Sequence, residues 1–443
     1  MLSLIGISMI LIIVILLVWG KASPIVAMIA VPLIGAFIAG FGLDEIALFF
    51  EAGIDKVLNV AIMFIFAILF FGVLQDTGFF EPIIKAMVRL TKGNVVTVAV
   101  GTAAIGMVAH LDGAGATTFL LTIPALLPLY KRLHMSPYLL VLIVGLSASI
   151  MNMVPWAGPT GRVAGVLDMS PVELWYPLIP VQLIGIVLVL ALAFGLGVRE
   201  KKRIAKMGLA EAAASSMSEA DLQEALRSIS SHGDKALKRY HLIWANALIF
   251  VGVLIILVAE LLPAGYSFMV GLVLALVVNY PNVQTQMDRV KAHSPSALLM
   301  AAVILAAGTF LGIIDESGML ESIAVDSISI LPAAILPVLH LIVGLFGVPF
   351  DMVTSTDAYY YALFPIVESI TAQVGVASTS TAYAMIIGNV VGTFVSPLAP
   401  AVWLAVGLAG IDMGKYIRYA FFWVWGFSIV LVLLAVLIGV IQF

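Results

Sequence analysis

Apolar residues run on for lengths that a soluble core does not need. Residues 2–19, 24–42, 58–75, 174–198, 241–262 and 417–441 carry at most one charged residue each, and a bilayer core takes about 20 apolar residues per helical span. These segments predict transmembrane helices. No stretch shows the alternation over about 10 residues that marks a membrane β-strand, so the expected class is an all-α polytopic membrane protein. The first basic residue is Lys21, which reads the opening segment as a retained span rather than a cleaved signal.

The pattern occurs twice, about 240 residues apart. "FGVLQDTGFFEPI" (71–83) answers "LGIIDESGMLESI" (311–323), with Gly78 facing Gly318 and Glu81 facing Glu321. Further along, Asp112 faces Asp351, Pro124 faces Pro365 and Asn152 faces Asn389 within a few residues, and "GVLDM" (165–169) faces "LAGIDM" (408–413). The expected division is a first repeat at 1–198, a linker at 199–240 and a second repeat at 241–443. In each repeat a long apolar stretch is interrupted by a polar tip, at 95–132 and 331–374. Arms of about 16 residues reach about 24 Å, short for a full span and suited to a re-entrant hairpin. Each hairpin is followed by an interrupted span, at 137–168 and 379–412. Five full spans and one hairpin per repeat require the second copy to be inverted.

Charge placement tests the inversion, because Lys and Arg near span ends collect on the cytoplasmic side. With both termini outside, all of the 21 Lys and Arg except Lys56 and Arg162 fall inside. The 199–240 linker is then cytoplasmic, with "SEAD" (218–221) as a capping box opening a short helix. The segment 79–92 sets Lys85, Arg89 and Lys92 on one face, as in a helix lying in the cytoplasmic interface. Composition agrees with a membrane protein: 63% of the residues are hydrophobic and 10% charged, and the mean hydropathy is +1.17. There is no cysteine, which excludes disulfides and thiolate chemistry.

Polar groups and helix breakers meet in four places. They are "HLDGAGATT" (110–118), "MNMVPWAGPTGR" (151–162), "PFDMVTSTDAYYY" (349–361) and "GNVVGTFVSPLAP" (388–400). Irregular backbone at membrane depth survives only where protein buries it or it lines a cavity. The four breaks are therefore expected to meet at the midplane, aiming half-helix amino termini at an anion. Gly113 and Gly115 allow close backbone approach, Thr117 and Thr118 are suited to cap the second arm, and Pro159 and Pro397 suit the first turn of restarting helices. Arg162 is placed to hold a carboxylate. Asp112, Asp351 and Asp357 can bind a cation or carry a proton, and as Asp residues they also suit tip capping. His110 can relay protons or act as a structural hydrogen bonder. Asn152, Asn389, Thr393 and Ser396 offer neutral hydrogen bonds. Three acids beside one arginine suit an anion that travels with a cation.

"HLDGAGATTFLLTIPALLPLYKRL", "MNMVPWAGPTGR", "GVPF", "VSPLAP" and "LAVGLAGID" resemble the citrate–divalent-metal:proton symporter family (CitMHS) of the ion transporter superfamily. The resemblance implies uptake of citrate complexed with magnesium or calcium, driven by protons, with no permanently bound cofactor. It implies a homodimer in the cell (inner, cytoplasmic) membrane whose hairpins and broken helices move as an elevator within the lipid bilayer. It places substrate contacts at Gly113, Gly115, Thr117, Thr118, Asn152, Gly158, Pro159, Thr160 and Arg162, and at Thr354, Ser355, Thr356, Asn389, Thr393, Ser396 and Pro397. The metal falls to Asp112, Asp351 and Asp357, and proton coupling to Asp112, Asp357 and His110. The family's first tip commonly reads LDGDGTTTF; Ala114 and Ala116 stand here where an acid and a threonine are common, which weakens cation coordination, changes the preferred metal or shifts the substrate to a related carboxylate.

A carrier of another organic anion, such as a dicarboxylate or gluconate, and a cation/proton antiporter share this layout. An antiporter has no need of Arg162. The chain has no HExxH or GxSxG motif, which speaks against an enzyme, and no GxxxxGK[ST] loop, so ATP does not drive it directly. Nothing points to nucleic acid.

Overall fold

The computed structural model describes residues 1–91, 94–207 and 234–443, with Val18 described by its backbone only. Lys92 and the 218–221 capping box lie outside the described residues. Among the described residues every regular element is helical, and five helices are long and apolar enough to cross a membrane: Leu43–Asp76, Leu178–Lys206, Lys235–Val258, Val283–Glu316 and Met413–Leu437.

Leu43–Asp76 and Val283–Glu316 are 34 residues each, about 50 Å long at 1.5 Å per residue. The first begins well before residue 58, where hydropathy places the span. Its early turns are amphipathic: Glu51 and Asp55 are exposed while Gly53 and Val57 are buried, so a window average misses them. Glu45 holds the start by accepting from the Gly42 N–H at 2.8 Å. Likewise the helix expected over 174–198 starts at Leu178, after Pro177, and runs on to Lys206.

The two long helices form the most extensive helix pair among the described residues. They cross where glycine permits backbone contact: a Cβ on Gly53 would sit 2.0 Å from the Gly308 carbonyl oxygen, and one on Gly312 would sit 2.0 Å from that of Phe49. Small residues at crossings are how membrane helices gain close packing without a hydrophobic driving force. Ion pairs tie both ends. Lys56 bonds Asp315 and lies 3.9 Å from Glu316, while Asp76 takes His293 at 2.8 Å and Arg289 at 3.5 Å. Lys56, one of the two basic residues left over by the charge count, thus has acidic partners on the other half.

Around this pair the halves exchange elements: Pro24–Ala39 packs on Val283–Glu316, and Ala264–Asn279 on Leu43–Asp76. A second group packs mainly on itself. Val95–Ala109 lies against Pro137–Met151 and Leu178–Lys206, Gly115–Arg132 against Pro400–Ala409, and Leu339–Leu345 against Ser378–Val390. The short helix Glu81–Leu90 carries Lys85 and Arg89, but its buried Glu81 anchors it, accepting from Tyr240 Oη at 2.6 Å and pairing with Lys238 at 2.8 Å.

Candidate substrate site

Each polar stretch stops one helix and starts another. Val95–Ala109 ends at His110 and the chain restarts at Gly115; Pro137–Met151 ends at Asn152 and the chain restarts at Gly158. In the second half Leu336–Leu345 and Gly347–Val353 meet at a 65° bend, a π-helix restarts at Ala358, and Ser378–Val390 gives way to Pro400–Ala409. All four restarting ends meet. Gly115, Gly158, Asp357 and Pro400 line one cavity of about 360 Å³, a volume typical of small-molecule sites. With about half a positive charge per helix amino terminus, the wall favours an anion.

The cavity brings together Asp112, Gly113, Asn152, Pro159, Arg162, Ser355, Thr356 and Thr393. Gly113 turns the tip at φ +71°, a left-handed conformation that favours glycine. Arg162 and Asp357 are the centre of charge. Arg162 Nε donates to Asp357 Oδ1 at 2.8 Å and Nη2 lies 2.7 Å from the same oxygen, an ion pair that joins the first break to the second tip. The arginine expected to hold a substrate carboxylate already holds one of the protein's own.

Several expected residues stand elsewhere. Thr117 and Thr118 do not cap the second arm, whose first residues carry no side-chain cap; instead Asp112 organises the turn, accepting from Ala114 N–H at 2.9 Å and from the Thr117 hydroxyl. Thr118 is buried on His110, with its hydroxyl 2.7 Å from Nδ1. Thr160 and Thr354 bond the backbone carbonyls of Met153 and Phe350, and Ser396 bonds that of Asp351. Pro400, not Pro397, occupies the first turn of the restarting helix. Asp351 is fully buried and does not line the cavity; Asn389 Nδ2 donates to its Oδ1 at 3.2 Å. It is therefore not placed to ligate a metal in the cavity with Asp112 and Asp357. Among the described residues no cluster of three acids or histidines could hold a metal ion by itself.

Sequence reasoning missed the rest of the wall. Phe64 and Ile68 come from one long helix and Ser296 and Met300 from the other; all four sit within long helical runs whose pattern gives no sign of a cavity. Trp156 closes the first break, donating from Nε1 to the Leu111 carbonyl at 2.8 Å.

Long apolar helices around a cavity that gathers Arg162, Asp112, Asp357 and four helix starts define a multi-pass membrane transporter. The model of the citrate transporter family (CitMHS) matches residues 3–388, and the chain belongs to that family. It is 36% identical over the full length of both chains to a citrate transporter of Bacillus subtilis. It is 34% identical, over all of this chain and 99% of the other, to the Mg(2+)/citrate complex secondary transporter of the same organism. Among solved structures it resembles the YdaH transporter of Alcanivorax borkumensis, with a TM-score of 0.59 at 16% identity over 90% of each chain. It also resembles MtrF of Neisseria gonorrhoeae, with a TM-score of 0.61 at 13% identity over 85% of this chain and 80% of the other. These two similarities concern the fold.

Proposed function

We propose that this protein carries citrate across the cell membrane as a complex with a divalent metal ion, magnesium or calcium, in symport with protons. One observation carries the reading: a cavity ringed by four helix amino termini holds a single guanidinium and two carboxylates, Asp112 and Asp357. Free citrate would meet two negative groups there, whereas a metal–citrate complex brings its own cation to them. Magnesium is commonly bound through one or two carboxylates, with water and the substrate completing its shell. Asp112 and Asp357 fit that demand, which suits an ion that arrives with its cargo.

The Arg162–Asp357 pair gives the order of events. A citrate carboxylate takes the guanidinium, which holds carboxylates through a planar fork of donors, and Asp357, released, turns to the metal. Asn152, Ser355, Thr356 and Thr393 supply hydrogen bonds, Gly113, Gly115 and Gly158 let backbone N–H groups approach, and Pro159 starts the helix that aims at the cargo. The self-packed group of hairpins and interrupted helices moves as an elevator against the long-helix pair, in two inverted repeats with both termini outside and the linker in the cytoplasm. The homodimer rests on the family resemblance alone.

The test is labelled-citrate uptake into proteoliposomes under an inward proton gradient, with chelator against added magnesium or calcium. Uptake that needs both metal and gradient supports the reading. Uptake indifferent to chelator assigns the site to a free organic anion.

A further inference from the structure

The two hairpins place different groups on equivalent asparagines. In the first half His110 lies against Asn152, its Nε2 3.4 Å from Asn152 Oδ1 and its Nδ1 2.7 Å from the Thr118 hydroxyl. Since Oδ1 can only accept, Nε2 carries the proton and Nδ1 is an acceptor facing the Thr118 hydroxyl, which also reaches the Ala114 carbonyl at 2.9 Å, so each ring nitrogen of a neutral imidazole has a polar neighbour. In the second half Asp351 takes the corresponding place against Asn389, with Thr356 Oγ1 3.5 Å from Oδ1. Here the bonding is incomplete. Asp351 Oδ2 and Asn389 Oδ1 are both buried acceptors with no hydrogen-bonding partner among the described residues.

One proton removes both deficits. Asn389 Nδ2 donates to Asp351 Oδ1, and a hydrogen on Asp351 Oδ2 directed at Asn389 Oδ1 would close an acid–amide ring. A charged carboxylate in the same place would be fully buried with one oxygen unsatisfied, a costly arrangement. A divalent ion does not suit it, because Asp351 is fully buried away from the cavity and such ions want about six oxygen ligands.

We propose that the coupling proton of transport is carried by Asp351, shared with Asn389 behind the substrate cavity. This rests on the reading of the protein as a proton symporter, and moves the proton away from Asp112, Asp357 and His110. Loading joins a proton from water to Asp351 Oδ2; release returns it to water and leaves the carboxylate. Thr356 links the site to the cargo, since it both lines the cavity and approaches Asp351. The groups facing Asp351 are the Arg162–Asp357 pair and the phenols of Tyr359 and Tyr360. While Arg162 and Asp357 are paired they offset each other; cargo that separates them changes the field at Asp351 and so couples the two loads.

Isotope-edited infrared spectroscopy of the purified protein, with carbon-13 aspartate, reads this directly and without citrate. The expected result is a protonated carboxyl carbonyl band at neutral pH that disappears in D351N, moves to higher frequency in Asn389→Leu and stays in D112N. No such band in the unsubstituted protein, or one that persists in D351N, overturns the proposal. In proteoliposomes, D351N should lose gradient-driven citrate accumulation to background and the accompanying internal pH change, while citrate exchange stays measurable. Accumulation that survives in D351N, or that follows a sodium gradient instead, also overturns it. If the unsubstituted protein takes up no citrate, the transport reading fails and the infrared result still decides where the proton sits.

Discussion

The two hairpin tips solve one packing problem with different chemistry. Both end an arm against an asparagine from the neighbouring interrupted helix, and both place an acid in the cavity ahead of the restarting helix. At the first tip the buried group is a histidine with every polar atom partnered, and Asp112 is tied down by Ala114 and Thr117. At the second the buried group is Asp351 with an oxygen to spare, and the cavity acid Asp357 is committed to Arg162. The first tip thus has its polar groups tied to the protein, and the second has a carboxylate oxygen left over. On the proposed function the first tip positions the cargo and the second couples it to the proton.

The largest expected effect comes from breaking the charge pair at the second tip. Arg162→Ala leaves the partly exposed Asp357 at the cavity wall without its cation, which costs less than the about 3–5 kcal/mol of a fully buried pair and should abolish uptake. The double substitution with Asp357→Asn should recover much of the lost stability, read as thermal unfolding in detergent, and none of the transport. Recovery of transport would mean that Arg162 serves only to neutralise Asp357.

A smaller effect is expected at the first tip. Thr118→Val removes the hydroxyl that satisfies His110 and should cost about 1–3 kcal/mol, the penalty for a buried acceptor left unpaired, with the proton-to-citrate ratio unchanged. Measured proton and citrate fluxes that uncouple in this variant would reverse the roles of the two tips.

Smallest is Ala114→Asp. Ala114 lines the cavity at the helix start, so an acid there adds a metal ligand and a good N-cap, stabilising by about 1 kcal/mol and lowering the metal concentration needed for half-maximal uptake. An unchanged metal dependence would place the cargo ion away from the first tip.

The all-helical membrane architecture is legible because span length and hydropathy are local properties, and the helix breaks stand out because Gly and Pro interrupt apolar runs. Arg162 also stands out, as a cation with no place in the charge pattern. Its partner does not: Asp357 lies 195 residues away and only the packing of the halves joins them. Register is the other loss. Sequence alignment sets Asp351 opposite Asp112, yet in space it does the work of His110, because the last turn of each arm, rather than the matching letter, decides which side chain meets the asparagine. Pro397 misleads for a similar reason, since Pro400 three residues on is an equally good helix start. The contributions of Phe64, Ile68, Ser296 and Met300 have no local signature, because a cavity wall inside a long helix looks like any other buried face.

The most direct test is labelled-citrate uptake at fixed proton gradient, with chelator and with magnesium, in the unsubstituted protein and in Asp357→Asn side by side. The exchange of partners at Arg162 predicts metal-dependent uptake in the first and weaker metal dependence in the second, where the guanidinium is already free for citrate. Uptake by the unsubstituted protein that is equal with and without chelator would contradict the account.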